Sequence, residues 1–344
     1  MQQINKKLIK NKFYSTYYFI KTKKVLKTNH INDIALMQWK TNKRQEYLVA
    51  GMNEILLTIK TFVGKRNLKK LTIKYAPEGS IVKSSQCVLS IKGEYSLFCE
   101  LENIIDSILA RRCSVATNCY QILQFIKPEQ LIFMSDRSDD YRLHPYDGYA
   151  AYVAGVRKFS NYSHIEFIKN KEDVFVFGSM PHALIQQFDG NIIKTFDGYK
   201  KVCNDGSVLV DFNNDIISTL KELKPKFQEI NNIRLDTSIN MIDKSLSKYN
   251  PKQYGVTTKL VKLVRKFLDN NYGSHIKIIV TSNNNLDKIK TFVKEKAPID
   301  FYGIGTYLIS LSLHFTADLV EKNGVLLAKV GRTKLNEDNL ILFE

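Results

Sequence analysis

The sequence lacks any apolar run long enough to cross a membrane, so we expect no transmembrane segment. The basic N-terminus is followed by a short, hydroxyl-rich apolar run without a small-residue cleavage pattern, which argues against a signal peptide. The five cysteines are scattered and form no Cys-x-x-Cys pair, so neither a zinc site nor a disulfide framework is indicated. We therefore expect buried free thiols in a reducing compartment and predict a cytoplasmic protein.

Arginine is scarce, since only ten of the 51 basic residues are arginine although the formal net charge is +17. A strongly basic chain can bind nucleic acid. Here, however, the lysines are spread along the chain, and neither an RNP-type aromatic motif nor zinc-finger spacing accompanies them. We predict a solvated basic surface and no nucleic-acid partner, with an electrostatic attraction for polyanionic small substrates.

No linker rich in proline, glycine or serine divides the 344 residues, which are enough for one large or two ordinary domains. The first third predicts helices near 46–60 and 97–112 and strands near 71–75, 81–82 and 88–91. From about residue 130, strands are predicted at 131–134, 174–177, 208–212, 233–235, 276–280 and 299–302, with helices near 146–157, 215–223, 257–269 and 286–294 between them. Repeated βα units indicate a parallel sheet, either closed as a barrel or open and doubly wound. Asn323-Gly324 predicts a hairpin whose strands return to the first domain.

One stretch joins a predicted strand to a predicted helix. The run 174–177 is β-branched and aromatic, which predicts a buried strand. Gly178 ends the run and Pro181 suits the first turn of a helix. His182 is then expected at the junction, among backbone N–H groups that can receive an anion. A structural histidine that caps a turn is the alternative interpretation.

Polar residues recur where the predicted strands of the second part end. They are Arg137, His182, Asp211, Asp236, Thr281-Ser282 and Gly303. Because the carboxyl ends of barrel strands face the active site, we expect these residues to surround one site. Segments 281–285 and 303–306 follow the last two strands, a position where such barrels bind phosphate through backbone N–H groups and a hydroxyl. Glycines that close a plain turn are the alternative for Gly303-Ile304-Gly305-Thr306.

Six short segments, taken with their order and spacing, resemble nicotinate phosphoribosyltransferases, particularly the shorter archaeal-type branch of that family. They are Pro77-Glu78-Gly79-Ser80-Ile81, Ala151-Tyr152-Val153-Ala154-Gly155, Gly178-Ser179-Met180-Pro181-His182-Ala183-Leu184, Ile233-Arg234-Leu235-Asp236-Thr237, Lys277-Ile278-Ile279-Val280-Thr281-Ser282 and Phe301-Tyr302-Gly303-Ile304-Gly305-Thr306. The resemblance implies an α/β protein of the type II phosphoribosyltransferase fold: an irregular α/β barrel plus an open-faced α/β sandwich domain formed from both chain ends. We accordingly expect the open-faced domain at 1–115, completed by 316–344, and the barrel at 116–315.

The resemblance also implies an activity. The family transfers phosphoribose from phosphoribosyl pyrophosphate to nicotinate, giving nicotinate mononucleotide and pyrophosphate in NAD biosynthesis, with Mg²⁺. ATP is a co-substrate whose hydrolysis is coupled through a phosphohistidine, which places the family in the ATP-coupled ligase class. Homodimers are implied, in which an N-terminal aromatic residue enters the partner's site. The alternatives are an enzyme acting on nicotinamide or quinolinate, or a catalytically decayed basic barrel that binds RNA or serves as a scaffold.

Site residues are carried over from the same resemblance. His182 matches the phosphorylated histidine, Asp236 an acidic residue near the ribose and Mg²⁺, and Arg137 an arginine that binds the nicotinate carboxylate or a phosphate. These three residues form the expected catalytic set. The expected substrate-binding residues are Tyr18, Arg137, Ser160 and Arg234, and the expected phosphate-binding residues are Ser282, Asn283, Gly303, Gly305 and Thr306. No residue is assigned as a metal ligand, although Mg²⁺ is expected near Asp236.

For three of these residues the sequence also allows a simpler role. Arg137 could form a surface ion pair with Asp139, Asp236 could cap the next helix, and Tyr18 could pack in a core. The sequence also departs from the family pattern at Lys21, Asn118, Ser179, Asn283 and Asn284, where relatives usually carry Arg, Lys, Thr, Gly and Gly. Asparagine tolerates left-handed backbone angles, so we expect the Asn-rich loop at 283–285 to survive with reduced freedom.

Overall fold

The computed structural model describes residues 4–41, 45–83 and 86–344. The helices are α1 (Lys6–Lys10), α2 (Tyr17–Thr28), α3 (Met52–Leu68), α4 (Glu102–Leu123), α5 (His144–Val153), α6 (His182–Gln187), α7 (Ile192–Lys200), α8 (Ile216–Leu223), α9 (Thr258–Asp269), α10 (Leu286–Lys294) and α11 (Thr306–Ile309). The strands are β1 (Ile34–Thr41), β2 (Tyr47–Leu48), β3 (Thr72–Tyr75), β4 (Ile81–Val82), β5 (Leu89–Glu94), β6 (Leu131–Phe133), β7 (Lys158–Phe159), β8 (Phe175–Val176), β9 (Ser207–Leu209), β10 (Asn232–Leu235), β11 (Lys277–Val280), β12 (Phe301–Ile304), β13 (Phe315–Lys322), β14 (Val325–Leu326) and β15 (Ile341–Leu342).

The two ends of the chain build an antiparallel sheet in the order β14-β13-β1-β5-β3-β15. Strand β13 returns from the far end of the sequence to pair with β1 along seven residues. The predicted hairpin at Asn323-Gly324 is confirmed: both residues have positive φ, 48° and 82°, and join β13 to β14. Such paired left-handed angles are those of the tight turns that match strand twist.

The βα units form a second, parallel sheet in the order β8-β7-β6-β12-β11-β10-β9. If this seven-stranded sheet were flat, its two edge strands would lie roughly 29 Å apart. The residues that follow those edges are in contact instead, since Nε2 of His182 after β8 lies 3.2 Å from the carboxylate of Asp211 after β9. The sheet is therefore curled into an incomplete barrel, and the expected α/β fold class is confirmed.

Helix α4 connects the two halves of the molecule. Its first half, from Ile104 to Cys113, is buried in a core with α3 and the antiparallel sheet. Its second half, from Val115 to Ile122, is buried in a core with the parallel sheet and its helices. A single helix that contributes to both cores fixes the position of the two sheets relative to each other.

Several predicted elements differ from the structure. Helix α3 begins at Met52 rather than near residue 46, because Tyr47–Leu48 is a short strand. Helix α4 begins at Glu102 and extends to Leu123, because 3-10 turns occupy the predicted start. The run 174–177 is not a buried strand: β8 is an edge strand of two residues, and Phe175 is 61% exposed.

Within the described residues no helix is long and apolar enough to cross a membrane. Four of the five cysteines are buried, Cys203 is half-buried, and all five are free thiols.

Candidate active site

A cavity of about 560 Å³ opens where the parallel strands end. It is lined by polar and glycine residues at the ends of six of the strands, together with a few apolar side chains. The lining residues are Met134, Asp136, Arg137, Ser138, Ser160, Phe177, Gly178, Ser179, Met180, Pro181, His182, Arg234, Asp236, Thr281, Ser282, Asn283, Asn284, Gly303, Gly305, Thr306 and Tyr307. Every site residue carried over from the family resemblance except Tyr18 is among them, and Asp211, which was also expected at the site, contacts His182 without lining the cavity.

His182 is the first residue of α6 and does not cap a turn. Its side chain is 44% exposed, and Nε2 lies 3.2 Å from both carboxylate oxygens of Asp211, which is almost fully buried. Burial raises the pKa of the Asp211 carboxyl above its usual range, and His182 acts against this shift. When Nε2–H donates to Asp211, the tautomer leaves the lone pair of Nδ1 free to act as a nucleophile.

Arg137 lies in the loop after β6 and is exposed to the cavity. The suggested ion pair with Asp139 is wrong. Asp139 instead accepts a hydrogen bond from Nη1 of Arg111 at 2.8 Å, because Arg111 projects from α4 toward the same loop. Arg137 forms no hydrogen bond or ion pair with any described residue, so its guanidinium is available to an anionic ligand.

Arg234 and Asp236 form a network at the end of β10. Nη2 of Arg234 lies 2.6 Å from Oδ2 of Asp236, and Oδ1 of Asp236 accepts a hydrogen bond from Thr281 at 2.6 Å. Arg234 also donates to Ser179 at 3.0 Å and to Thr281 at 3.2 Å. Asp236 does not cap a helix, since both of its oxygens are used in this network. The network joins β10, the loop after β11 and the loop after β8.

The loop after β11 has a left-handed backbone at Ser282 and Asn283, with φ of 72° and 50°. Ser282 Oγ donates to the carbonyl of Thr237 at 2.7 Å. Buried Asn284 donates to the carbonyls of Val280 and Gly303 at 2.9 and 3.0 Å. Of the two asparagines that depart from the family pattern, Asn283 adopts the left-handed angle that asparagine tolerates, whereas Asn284 does not, and the second left-handed residue is Ser282.

Two glycines at the end of β12 allow this segment to lie close to the loop after β6. Gly303 belongs to β12 itself, not to the loop after it as predicted, because the strand extends to Ile304. A Cβ at Gly305 would lie 2.6 Å from the carbonyl oxygen of Met134, closer than real contacts allow. Thr306 Oγ1 lies 2.9 Å from Ser138 Oγ. A side chain at Gly305 would therefore separate the loops after β6 and β12.

Ser160 donates to Oδ1 of Asp136 at 2.8 Å, at the ends of the adjacent strands β7 and β6. Sequence reasoning missed Asp136 as a site residue, although it directly precedes Arg137 after a predicted strand.

Asn118, one of the departures from the family pattern, lies on α4. Its Nδ2 donates to the carbonyls of Tyr307, Leu308 and Ser310 at 2.9–3.2 Å and so anchors α11.

Tyr18 lies outside this cavity. It is on α2 and 57% exposed, so the core-packing alternative is wrong. Its ring contacts Phe19 at 4.2 Å between centroids. Burial of the hydroxyl, with Glu102 and Asp106 nearby, raises the pKa of Tyr18. A role for Tyr18 in a cavity requires that the cavity belong to another copy of the chain.

The cavity contains few groups able to bind a metal ion. In the described part of the chain no three His, Cys, Asp or Glu side chains come together as a metal cluster. Mg²⁺ needs fewer protein ligands, because it binds one or two carboxylates together with substrate phosphates. Asp136 and Asp236 line the cavity and fit that requirement.

Comparisons with known proteins show the fold. No protein-family model and no curated protein sequence matches the chain. Among solved structures, nicotinate-nucleotide pyrophosphorylase from Pyrococcus furiosus is 24% identical over 97% of this chain and 81% of its own, with a TM-score of 0.80. Human nicotinic acid phosphoribosyltransferase is 14% identical over 91% of this chain and 75% of its own (TM-score 0.65). Nicotinate-nucleotide pyrophosphorylase from Ehrlichia chaffeensis is 15% identical over 92% of this chain and all of its own (TM-score 0.58). The chain shares the fold of these proteins: an incomplete α/β barrel joined to an open-faced antiparallel layer.

Proposed function

We propose that this protein is a nicotinate phosphoribosyltransferase. It would join nicotinate to the phosphoribosyl group of phosphoribosyl pyrophosphate, in a reaction coupled to ATP hydrolysis. The observation that carries the proposal is the convergence of His182, Arg137, the Arg234–Asp236 pair and Gly305-Thr306 on one cavity. The fold neighbours, whose names refer to nicotinic acid and nicotinate nucleotide, support the same substrate class.

The transfer step needs a cavity that favours charge separation. The pyridine nitrogen attacks C1 of the ribose, the bond from C1 to the pyrophosphate oxygen breaks, and pyrophosphate leaves with the electron pair. The ribose gains oxocarbenium character in this step, and the carboxylate of Asp236 stabilises positive charge nearby. Asp136 or Asp236 would hold Mg²⁺, which when bound would supply positive charge to offset the charge of the leaving group.

Arg137 favours nicotinate over other pyridines. Its guanidinium has no partner among the described residues, and it matches a single carboxylate in a bidentate manner. The second cavity arginine, Arg234, is already occupied by Asp236, Ser179 and Thr281. Quinolinate would need further cationic groups for its second carboxylate, and nicotinamide has no charge to pair with Arg137.

The phosphate groups would bind at two loops of the cavity. One is the loop with Ser282 and Asn283, and the other contains Gly303, Gly305 and Thr306. Both present backbone N–H groups or hydroxyls, as phosphate sites at the mouths of such barrels do. Ser160, which donates a hydrogen bond to Asp136, would bind the ribose hydroxyls.

ATP coupling would use His182. The Nδ1 lone pair attacks the γ-phosphorus of ATP, the bond to the β-phosphate oxygen breaks, and ADP leaves. Asp211 holds Nε2–H and stabilises the positive charge that develops on the ring. Water later hydrolyses the phosphohistidine to free histidine and inorganic phosphate.

The exposed position of Tyr18 supports a homodimer with composite sites. In such a dimer the tyrosine of one protomer would stack on the pyridine ring in the cavity of its partner.

The test is nucleotide formation from phosphoribosyl pyrophosphate and Mg²⁺ with nicotinate, nicotinamide or quinolinate, each with and without ATP. We expect nicotinate mononucleotide, formed faster with ATP. Preference for nicotinamide or quinolinate would overturn the substrate assignment. If none of the three pyridines gives a nucleotide, the protein lacks the proposed activity.

A further inference from the structure

Lys288 lies behind the loop that follows β11. It is in the first turn of α10, and its Nζ donates to the carbonyl oxygen of Ser282 at 2.8 Å. An ammonium group has three N–H donors. This bond is the one hydrogen bond that Nζ makes with the described residues, and Lys288 itself does not line the cavity.

The bond to Lys288 determines which way a peptide group of the loop faces. In a planar trans peptide the carbonyl and the N–H point in opposite directions. Because the Ser282 carbonyl is directed to Lys288, the Asn283 N–H is directed away from it. That N–H has no hydrogen-bond partner in the described chain, and Asn283 lines the cavity. Lys288 thus leaves a backbone donor available to a ligand.

The loop needs such a constraint. Ser282 and Asn283 have φ of 72° and 50°, and non-glycine residues remain in left-handed angles only where surrounding contacts hold them. The hydrogen bonds of Ser282 with other described residues are the one from its hydroxyl to the carbonyl of Thr237 and the one from Lys288 to its own carbonyl. Lys288 is therefore one of two side-chain contacts that keep this residue in place.

The ammonium is also a charge next to the loop. Burial lowers the pKa of Lys288 to about 8, although the neighbouring carboxylate of Asp236 acts in the opposite direction. Asp236 is itself paired with Arg234. A partly buried cation is weakly screened, so an anion bound at the Asn283 N–H would be stabilised by it.

We infer that Lys288 is a positioning residue for phosphate: it orients the Ser282–Asn283 peptide so that the Asn283 N–H and the positive charge behind it bind a phosphate group of phosphoribosyl pyrophosphate. This inference rests on the proposed function. Lys288 acts through the loop and does not touch the reacting atoms.

The test compares three variants with the parent in the full-length protein. Lys288→Met should raise KM for phosphoribosyl pyrophosphate about tenfold or more, because it removes a charge-assisted hydrogen bond, and should change kcat by less than about threefold. Lys288→Arg should restore KM to within about threefold of the parent, since it keeps the charge and the donor. Lys290→Met is the matched control, because Lys290 is on the same helix and faces Phe125 instead of the loop.

The pH dependence separates this role from a merely structural one. Lys288 is charged below its pKa of about 8 and loses its charge as the pH rises above that value. KM of the parent should therefore rise above about pH 8, and this rise should be absent in Lys288→Arg because a guanidinium stays protonated. If Lys288 had a merely structural role, KM of the parent and KM of Lys288→Arg would change with pH in parallel.

Calorimetric binding of phosphoribosyl pyrophosphate provides a measurement that does not depend on turnover. If the parent binds it but forms no nucleotide, the proposed function fails, while weaker binding by Lys288→Met still supports the inference. If Lys288→Met binds as tightly as the parent, the inference is wrong even when the parent is active. If the parent does not bind it, both fail. Circular dichroism and thermal unfolding of each variant show whether the fold is retained.

Discussion

Nη1 of Arg111 lies 2.8 Å from the carboxylate of Asp139, and this contact leaves Arg137 without an ionic partner in the described structure. Arg111 also binds Asp147 through two nitrogens at 2.6 and 2.9 Å, which fixes its guanidinium. The carboxylate of Asp139, two residues after Arg137, is thus already used. The guanidinium of Arg137 is therefore available to an anion in the cavity.

Replacing Arg137 should affect the acid and the amide differently. Arg137→Met should raise KM for nicotinate by about tenfold or more, because a charge-assisted hydrogen bond to the carboxylate is lost. The rate with nicotinamide, which has no carboxylate, should not fall. Arg142→Met is the control, since Arg142 pairs with Asp140 outside the cavity. If Arg137→Met lost activity equally with nicotinate and with nicotinamide, the assignment of Arg137 to the carboxylate would be contradicted.

Replacing Asp211 should separate ATP coupling from phosphoribosyl transfer. Asp211→Asn can still accept a hydrogen bond from His182 but has no charge to stabilise the imidazolium. We expect about tenfold or more loss of phosphohistidine formation, with nucleotide formation in the absence of ATP nearly unchanged. Labelling with γ-³²P-ATP measures the first quantity. Since burial raises the pKa of Asp211, labelling of the parent should also decline on acidification at a higher pH than an ordinary carboxylate would cause. Undiminished labelling in the variant would remove Asp211 from this role.

A buried ion pair between helices α4 and α3 should contribute to stability. Arg112 lies 3.1 Å from Glu54, and both residues are buried in α4 and α3. Arg112→Met should lower the free energy of unfolding by about 3 kcal/mol, because it leaves the Glu54 carboxylate buried without its partner. The double variant Glu54→Gln/Arg112→Met should recover part of that loss. Urea denaturation of the four proteins tests this, and simple additivity of the two single changes would argue against direct coupling.

Two carboxyls on α4 should make stability depend on pH. Burial raises the pKa of Asp106 to about 7, and burial together with Asp106 raises that of Glu102 to about 8. A carboxyl whose pKa is higher in the folded protein takes up protons on folding, so stability falls as the pH rises from about 4 through about 7. Asp106→Asn should be more stable than the parent at pH 8, by about 1 kcal/mol, and no more stable at pH 4.

The control for this prediction is Asp33→Asn. Lys322 lowers the pKa of Asp33, so the pH dependence of stability has the opposite sign. The parent should be more stable than Asp33→Asn at neutral pH and should lose this difference in acid. Thermal unfolding across the pH range measures both variants. A stability of Asp106→Asn that runs parallel to that of the parent would contradict the raised pKa.

The sequence predicts the second half of the chain better than the first. Helix α10 matches its predicted range, because Asn285 caps its start and its apolar residues recur at helical spacing. Strand β7 was missed because two residues carry no detectable periodicity. The start of α4 was placed too early, because 3-10 turns share the apolar pattern of the helix they precede.

The sequence likewise predicts only part of the candidate site. Residues at strand ends, such as His182 and Asp236, were found because the order of βα units brings strand ends together. The Arg111–Asp139 and Lys288–Ser282 contacts were not found. The first joins residues 28 positions apart. The second depends on a carbonyl direction that is set by left-handed backbone angles. Local sequence spacing contains neither kind of information.

The most direct test of the account uses purified parent and His182→Ala proteins with nicotinate, phosphoribosyl pyrophosphate, Mg²⁺ and γ-³²P-ATP. Nicotinate mononucleotide, pyrophosphate and protein-bound label are measured together. We predict that the parent forms nicotinate mononucleotide and becomes labelled, and that the variant is unlabelled and forms the nucleotide with little dependence on ATP. Absence of nicotinate mononucleotide with the folded parent would contradict the account.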